Sequence, residues 1–580
     1  MIKNVNIAQE AEEYDAIVVG SGVSGGWAAK ELCEKGLKTL VLERGRPIEH
    51  GTDYITEHKA PWQFSFRGGA MGRAVREKNP VLARDPGNFN ETSAHFYAKD
   101  EDQPYLEDAP FTWLRGDQVG GRSLIWGRQC YRWSDIDFAA NKVDGHGVDW
   151  PIRYNDIAPW YDYVEDYVGI CGEALGLPQL PDGKFLKPME LNVVEKHTRA
   201  AIEQNFPGRT MTIGRAAILT EARNGRAACH YCGPCHRGCS TSSYFSSNTV
   251  TLPAAFATGN LTLRPHSIAH SVIYDENQDK ALGVRVIDAE TKEVIEFRGK
   301  IIFMCASTIG STQVMLNSKS NRFPDGIANS SGALGKYLMD HHFLVGATGD
   351  MLGFEDKYYY GNRPNGAYVP RFRNISPETK HPDFVRGYGF QGSARRSSWQ
   401  RGNGMRGFGK SFKESLRNPG PWSWWLGAWG EALPREDNYM VLDSNEVDQW
   451  GMPLVRINCT WGDNEFAMRK DMGETAAEML EAAGATNVQI FDAYEDTKDE
   501  QGIGAAPGLC IHEMGTARMG RDPQTSVLNA HNQAHDVSNL FVTDGSAMAS
   551  SACQNPSITY MALTARAVDY AVEEMKKNNL

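Results

Sequence analysis

The stretch Tyr14-Asp-Ala-Ile-Val-Val-Gly-Ser-Gly-Val-Ser-Gly-Gly26 decides the fold. A short β-branched apolar run turns on glycines into Trp27-Ala-Ala-Lys-Glu-Leu-Cys33, which is helix-compatible, and a second apolar run follows at Thr39-Leu-Val-Leu-Glu43. That order predicts one strand–helix–strand unit of parallel sheet. Gly20, Gly22 and Gly25 form G-x-G-x-x-G between strand and helix. The first glycine permits the tight turn, the second lets backbone approach a pyrophosphate, and the third lets helix pack on strand, while the free N–H groups of the helix start, around Ser24, face the phosphates. Glu43 has the spacing of the acid that binds a ribose, and an acid there disfavours a 2′-phosphate. A dinucleotide site is therefore expected, and its position at the start of so long a chain leans toward FAD over NAD.

The chain has 580 residues, too many for one ordinary core, so two large lobes are expected. Its 41% hydrophobic and 23% charged residues are those of a globular protein. A net charge of -12 argues against nucleic acid or anionic lipid as a general partner. Met1 to Tyr14 is polar without an apolar core, no apolar run approaches the ~20 residues of a membrane span, and Arg395–Arg396 lies too deep to be an export address. A soluble chain without a transmembrane segment or an export signal of its own is expected.

Farther along, 50–115 is rich in Gly, Pro, Asn and charge and reads as covering loops. Segments Leu261-Thr-Leu-Arg, Ser271-Val-Ile-Tyr, Gly283-Val-Arg-Val-Ile and Ile301-Ile-Phe-Met predict a β-meander returning to a central sheet. The region 346–500, with strands near Tyr439 and Leu454 and a helical run from about Asn464 to Ala483, is the natural second lobe. Leu540-Phe-Val-Thr-Asp-Gly and a helix from Pro556 close the chain and can rejoin the first lobe.

Three C-terminal motifs carry the chemistry: His512-Glu-Met-Gly-Thr-Ala-Arg-Met-Gly520, Asn539-Leu-Phe-Val-Thr-Asp-Gly-Ser546 and Asn555-Pro-Ser-Ile-Thr-Tyr-Met-Ala-Leu563. With the N-terminal glycines and Gly335-Lys-Tyr-Leu-Met-Asp-His341, they resemble the glucose–methanol–choline oxidoreductase family across most of the chain. The resemblance implies an α/β fold: a Rossmann-like FAD-binding domain over 11–50, 116–135, 190–345 and 505–580, and an α+β substrate-binding domain built on an antiparallel sheet, with lid loops, over 51–115, 136–189 and 346–504. It makes His512 the base that takes an alcohol's proton, Asn555 its partner on the same oxygen, and Asp544 and Gly545 neighbours of the cofactor's phosphate and ribityl portion. Imidazole titrates near neutral pH, which suits that proton transfer. Pro556 fits the first position of the closing helix, whose N-terminal dipole would face the flavin. Val119-Gly-Gly-Arg-Ser-Leu-Ile-Trp126 resembles the stretch that crosses the flavin in pyranose-oxidase-like members, with Gly120, Gly121 and Ser123 approaching it. Ile125 stands where some members carry a flavin-linked histidine, so FAD is expected to be non-covalent. Cys305-Ala-Ser-Thr-Ile-Gly-Ser is a loose version of the family's signature there.

Of eleven cysteines, Cys33, Cys130, Cys171, Cys305, Cys459, Cys510 and Cys553 are scattered and read as small buried hydrophobes. Cys229, Cys232, Cys235 and Cys239 fall in a C-x2-C-x2-C-x3-C run, the ferredoxin-type spacing, which predicts an iron–sulfur cluster. Zinc, with His230 and His236 as possible extra ligands, is the rival, and disulfides between such near neighbours would be strained. Family dehydrogenase subunits with a three-iron cluster use C-x5-C-x3-C, which Cys229, Cys235 and Cys239 match; Cys232 would allow a four-iron cluster, so [3Fe-4S] and [4Fe-4S] both stand. A cluster favours a dehydrogenase over an oxidase, since oxygen needs no electron wire.

Trp422, Trp424, Trp425 and Trp429, with Glu431, suit a sugar-binding face or, equally, a core cluster. The combination resembles bacterial glucoside 3-dehydrogenases and implies a sugar or glycoside substrate, a small companion subunit that carries the export signal, and a cytochrome c or quinone-linked acceptor. The compartment would be periplasmic if the chain is exported with that subunit and cytoplasmic otherwise. A gluconate- or sorbitol-type polyol dehydrogenase, a sugar oxidase with structural zinc, and a non-catalytic electron carrier are the alternatives.

Overall fold

The computed structural model describes residues 13–580, so the expectation for Met1 to Tyr14 falls almost wholly outside the described residues. Strand Glu13–Val19 pairs in parallel with Thr39–Leu42 on one side and with Val294–Met304 on the other. Its residues from Ala16 to Val18 are fully buried, as a strand covered on both faces must be, which is why the sequence there is an unbroken apolar run rather than an alternating one. Among the described residues, seven strands make this sheet. Ser267–Asp275, Lys280–Asp288 and Val294–Met304 form the expected meander, but Leu261–Arg264 lies outside it, on the opposite edge, parallel to Thr39–Leu42. The C-terminal strand Leu540–Val542 joins in parallel beside Val294–Met304, so the two ends of the chain build one lobe. Helix Val23–Glu34 packs against the closing helix Ser557–Lys576.

A second, wholly antiparallel sheet runs in the order Thr486–Asp492, Val345–Met351, Trp422–Gly430, Tyr388–Arg396, Ala367–Val369, Thr212–Ile213. Helix Asp463–Ala482 covers one face with Met468, Met472, Ala476, Met479 and Leu480, which recur at helical spacing and are all buried. Helix Val193–Asn205 packs beside it. The 190–213 segment, assigned with the first lobe from sequence, thus contributes a helix and a strand here. Conversely, Tyr439–Val447 and Pro453–Asn458 pair with each other and with Leu106–Glu107, and Met440, Val455 and Ile457 pack on Ile309 and Leu338 of the first lobe.

The side-chain period of two divides the second sheet's residues. On Trp422–Gly430 the core side takes Trp422, Trp424, Leu426 and Ala428, all buried, while Trp425 and Trp429 lie on the other face. On Tyr388–Arg396 the core takes Tyr388, Phe390 and Ala394, leaving Gln391, Ser393 and Arg395 opposite.

Candidate active site

Gly20, Gly22, Ser24, Glu43, Gly121, Ser123, Asp544 and Gly545, drawn from four distant segments, line one cleft at the C-terminal ends of the parallel strands, the place where such sheets bind ligands. Gly25 and Gly120 stand just behind its wall, against the Gly20 carbonyl and the Asn248 side chain. Ser21, which the motif reading passed over, ties the segments together. Its hydroxyl donates to Glu43 Oε2 at 2.5 Å and accepts from the Gly120 N–H at 2.9 Å, and Glu43 Oε1 accepts from the Gly45 N–H. Burial pushes the Glu43 carboxyl up, and the Ser21 and Gly45 donors oppose the rise. Asp544 takes the Ser311 hydroxyl at 2.5 Å and the Ser546 N–H at 3.0 Å, so it shapes the turn that places Gly545 at the cleft. Ser123 reaches the cleft with its hydroxyl already paired as donor to the Gly120 carbonyl and as acceptor from the Ser247 N–H.

A dinucleotide fits this cleft on two structural grounds. A Cβ built on Gly22 would meet no atom within 4 Å, so that backbone faces open space. The Tyr560 hydroxyl is buried at the cleft without a hydrogen-bond partner among the described residues, and such orphans are rare unless a ligand satisfies them. Gly20 is held at φ +99°, and a Cβ there would stand 2.5 Å from the Cys305 carbonyl oxygen. Gly20→Ala is therefore expected to yield folded protein with little or no FAD, read from the visible absorption of the purified chain; full FAD occupancy would remove the cleft's assignment.

His512 sits where the two lobes meet. Asp340 accepts the backbone N–H groups of Gly508, Cys510 and His512 at 2.7, 3.2 and 3.0 Å, clamping a turn in which Ile511 is forced to φ +64°. A β-branched residue in that region is strained, by of order 1–3 kcal/mol, and needs such a clamp. Burial pushes the Asp340 carboxyl up to about 7, with Glu513 adding to the rise and the backbone donors opposing it.

The side-chain bonds of His341 fix the tautomer of His512. His341 Nε2 lies 3.1 Å from the Ser551 carbonyl oxygen, which only accepts, so this nitrogen carries hydrogen. Burial drives the His341 imidazole down to about 4, so it is neutral and its Nδ1 is an acceptor. His512 Nδ1, 2.9 Å away, must then donate to it. His512 is itself pushed well below the ordinary imidazole range, by burial first and then by His341 and Arg122. Its Nε2 is left unprotonated, with its lone pair as an acceptor. Asn555 completes the arrangement from the other side: its Oδ1 accepts from Gln391 Nε2 at 2.8 Å, which turns its Nδ2 toward His512 Nε2 at 3.4 Å. Pro556 is the residue before helix Ser557–Lys576, one place earlier than expected. Asp340, His341 and Gln391 were not singled out as site residues from sequence. The first two were legible only as part of the 335–341 pattern, and Gln391 carried no motif.

Beyond Gln391 opens a cavity of about 920 Å³ on the outer face of the antiparallel sheet, walled by Trp425 and Trp429 and by polar side chains including Asp350, Asn365, Arg395 and Gln489. The tryptophan cluster is thus divided. Trp422 and Trp424 are core, and Glu431 is fully buried against Arg386 Nη1 at 2.6 Å, so it does not reach the cavity.

The cysteine loop packs on the back of the 119–126 stretch. His236 Nδ1 meets the Ile125 carbonyl at 3.0 Å, Tyr244 Oη donates to the Leu124 carbonyl at 2.5 Å, and Arg128 Nη1 donates to the Cys235 carbonyl at 3.3 Å. Gly238 permits the close pass of the loop over Tyr54, since a Cβ would stand 2.3 Å from that ring. All four thiols are free, with Cys232 exposed and the others half-buried. Burial, then the neighbouring thiols, pushes Cys229 up to about 11. Among the described residues, no three of these sulfurs lie within 4.8 Å of one another, whereas zinc needs them about 3.8 Å apart. Arg128 and Arg226 are buried beside the loop with no carboxylate partner, and Arg128 Nε and Arg226 Nη2 make no hydrogen bond among the described residues. Uncompensated buried guanidiniums call for negative charge nearby, which deprotonated cysteines of the loop would supply.

A cleft at the strand ends, lined by Ile511 and Glu513 on either side of His512 in sequence, is the arrangement of an oxidoreductase of CH–OH groups. The GMC oxidoreductase family models match residues 14–343 and 434–564. The chain belongs to the GMC oxidoreductase family, whose members bind FAD. It is 30% identical over 97% of its length to a 2-methyl-1,2-propanediol dehydrogenase of Mycolicibacterium austroafricanum, covering 95% of that protein. Similarity extends to a fructose dehydrogenase large subunit of Gluconobacter japonicus, 21% identical over 98% of this chain and all of that one, and to a gluconate 2-dehydrogenase flavoprotein of Pantoea cypripedii, 25% identical over 99% and 96%. The solved structure of pyridoxine 4-oxidase from Mesorbium loti shares the fold, with a TM-score of 0.61 at 15% identity over 96% of this chain and 99% of that one. Among the described residues no helix is long and apolar enough to cross a membrane.

Proposed function

We propose that the protein is an FAD-dependent dehydrogenase that oxidises a secondary hydroxyl of a sugar or glycoside, with C3 of a glucoside as the leading position, and passes electrons through an iron–sulfur cluster to an external acceptor. The observation that supports this best is the unprotonated Nε2 of His512 facing Asn555 Nδ2, with Asn555 held by Gln391, which itself lines the tryptophan-walled cavity. His512 Nε2 takes the hydroxyl proton while Asn555 Nδ2 holds the same oxygen, and His341 Nδ1 keeps the resulting imidazolium in place through the hydrogen bond it already accepts. Bound FAD supplies the two-electron acceptor for the hydride that leaves the adjacent carbon. Cys229, Cys232, Cys235 and Cys239 would hold a cluster that supplies a one-electron exit, with Arg128 and Arg226 balancing its charge. A small companion subunit and a cytochrome c or quinone-linked acceptor complete the reading, in keeping with relatives named as a large subunit and a flavoprotein.

The relative at 30% identity is named for a small diol, and this supports a second reading with an aliphatic 1,2-diol as substrate. Cavity size favours the sugar, since about 920 Å³ is at the upper end of sites for drug-sized ligands. Anaerobic protein mixed with methyl α-glucoside, sorbitol, gluconate or 2-methyl-1,2-propanediol, followed by absorbance, EPR and NMR of the product, decides among them. Bleaching and a 3-keto product with the glucoside, with roughly three or four irons per chain, are expected. Response to the diol alone, or zinc without iron, would defeat the proposal. Trp429→Ala is expected to raise KM for the sugar by roughly 10-fold or more, the worth of a lost stacking contact of ~1.5 kcal/mol, with FAD content unchanged; an unchanged KM would take the cavity out of substrate binding.

A further inference from the structure

His341 Nδ1, Cys510 Sγ and His512 Nδ1 all lie within 4.8 Å of one another. The two nitrogens are 2.9 Å apart and the sulfur is 3.3 Å from His512 Nδ1. Two imidazoles and a thiol are ligands of zinc-like, borderline-soft cations. Around tetrahedral zinc such atoms stand roughly 3.3–3.6 Å apart, from bonds of about 2.0–2.3 Å, so a shift of a few tenths of an ångström admits the ion. The supporting contacts of a metal site are also in place. His341 donates its other ring hydrogen to the Ser551 carbonyl, as ligating histidines do, and the Asp340 carboxylate fixes the backbone of both Cys510 and His512. Cys510 and His512 are partly exposed, which gives the ion a way in.

We propose that His341, Cys510 and His512 form a zinc site that switches off the base. This rests on His512 being the base. The balance is simple. Zinc displaces the proton of the Cys510 thiol, which leaves to solvent, and takes His512 Nδ1, whose hydrogen passes to Nε2; His341 keeps its Nε2 hydrogen. No group is oxidised or reduced. The lone pair that would receive the alcohol's proton is occupied, so bound zinc and proton abstraction exclude each other.

The test is equilibrium dialysis of the FAD-loaded protein against zinc chloride, with metal analysis, and turnover measured with and without zinc in the same preparation. Wild-type chain should take one zinc beyond any held by the 229–239 loop, with turnover falling at least about 10-fold and recovering with EDTA. Cys510→Ser should weaken that zinc by more than roughly 100-fold, beyond the 10–100-fold that loss of a supporting contact alone produces. Cys232→Ser should keep it. FAD content and melting temperature of each variant check folding, and zinc should raise the melting temperature of wild type but not of Cys510→Ser. Zinc uptake lost in Cys232→Ser yet intact in Cys510→Ser would overturn the proposal, as would no uptake at all. Uptake dependent on Cys510 without any change in turnover would keep the ion site and break the reading of His512 as the base.

Discussion

His512→Ala is expected to slow substrate oxidation by roughly 10²–10⁴-fold, the usual contribution of a positioned general base, with FAD still bound at full occupancy. The loss should fall on kcat and kcat/KM alike, because the proton is abstracted in the transition state. The pH profile carries the same claim with a definite sign. Burial and the neighbouring His341 hold His512 well below 6.5, the ordinary imidazole value. Protonating Nε2 removes the lone pair, so activity is present above the folded pKa and lost as pH falls through it. Wild-type turnover should therefore persist as pH drops through 6.5 and decline only below. An acid limb at or above 6.5, or an alanine variant within 10-fold of wild type, would place the base elsewhere.

Glu431→Ala is expected to destabilise the protein by about 3–5 kcal/mol, the consequence of stripping a buried ion pair of one partner. Glu431 is fully buried and accepts Arg386 Nη1 at 2.6 Å, with Arg371 Nη1 3.7 Å from its second oxygen. Arg371 also lies 3.6 Å from Asp137, so its guanidinium is shared between two carboxylates. Removing Glu431 leaves two buried cations facing fewer anions, where burial already works against every charge. The melting temperature of the FAD-loaded protein should fall by several degrees, with KM for the sugar unmoved in the fraction that remains folded. A raised KM without loss of stability would restore Glu431 as the substrate carboxylate that the sequence pattern suggested.

The difference between the two carboxylates shows how far a motif reaches. Glu43 and Glu431 both follow apolar strands, but Glu43 belongs to a local unit whose glycines, strand and helix lie within thirty residues, so its place beside Gly20 and Gly22 was readable from spacing. Glu431 has its partners, Arg371 and Arg386, on other elements, and nothing in its neighbourhood in sequence announces them. The tryptophans follow the same logic in a milder form. Once 422–430 is known to be a strand, parity alone sends Trp422 and Trp424 inward and Trp425 and Trp429 outward. Which side is inward depends on the helix Asp463–Ala482, packed from farther along the chain.

By itself the sequence determined the strand–turn–helix of 14–33, the acid at the end of the next strand and the family of the chain, because each is carried by local geometry or by a contiguous motif; it also marked His512 and Asn555 as candidates, which the fold brings face to face. Tertiary structure alone decided what those residues are able to do. The Nε2 of His512 is unprotonated because His341, 171 residues earlier, donates to Ser551 and accepts from Nδ1. The cysteine run lies behind the cleft because His236 and Tyr244 bond the carbonyls of Ile125 and Leu124, more than a hundred residues away. Protonation state and proximity are set by partners that only folding brings within hydrogen-bond reach, and spacing along the chain holds no record of them.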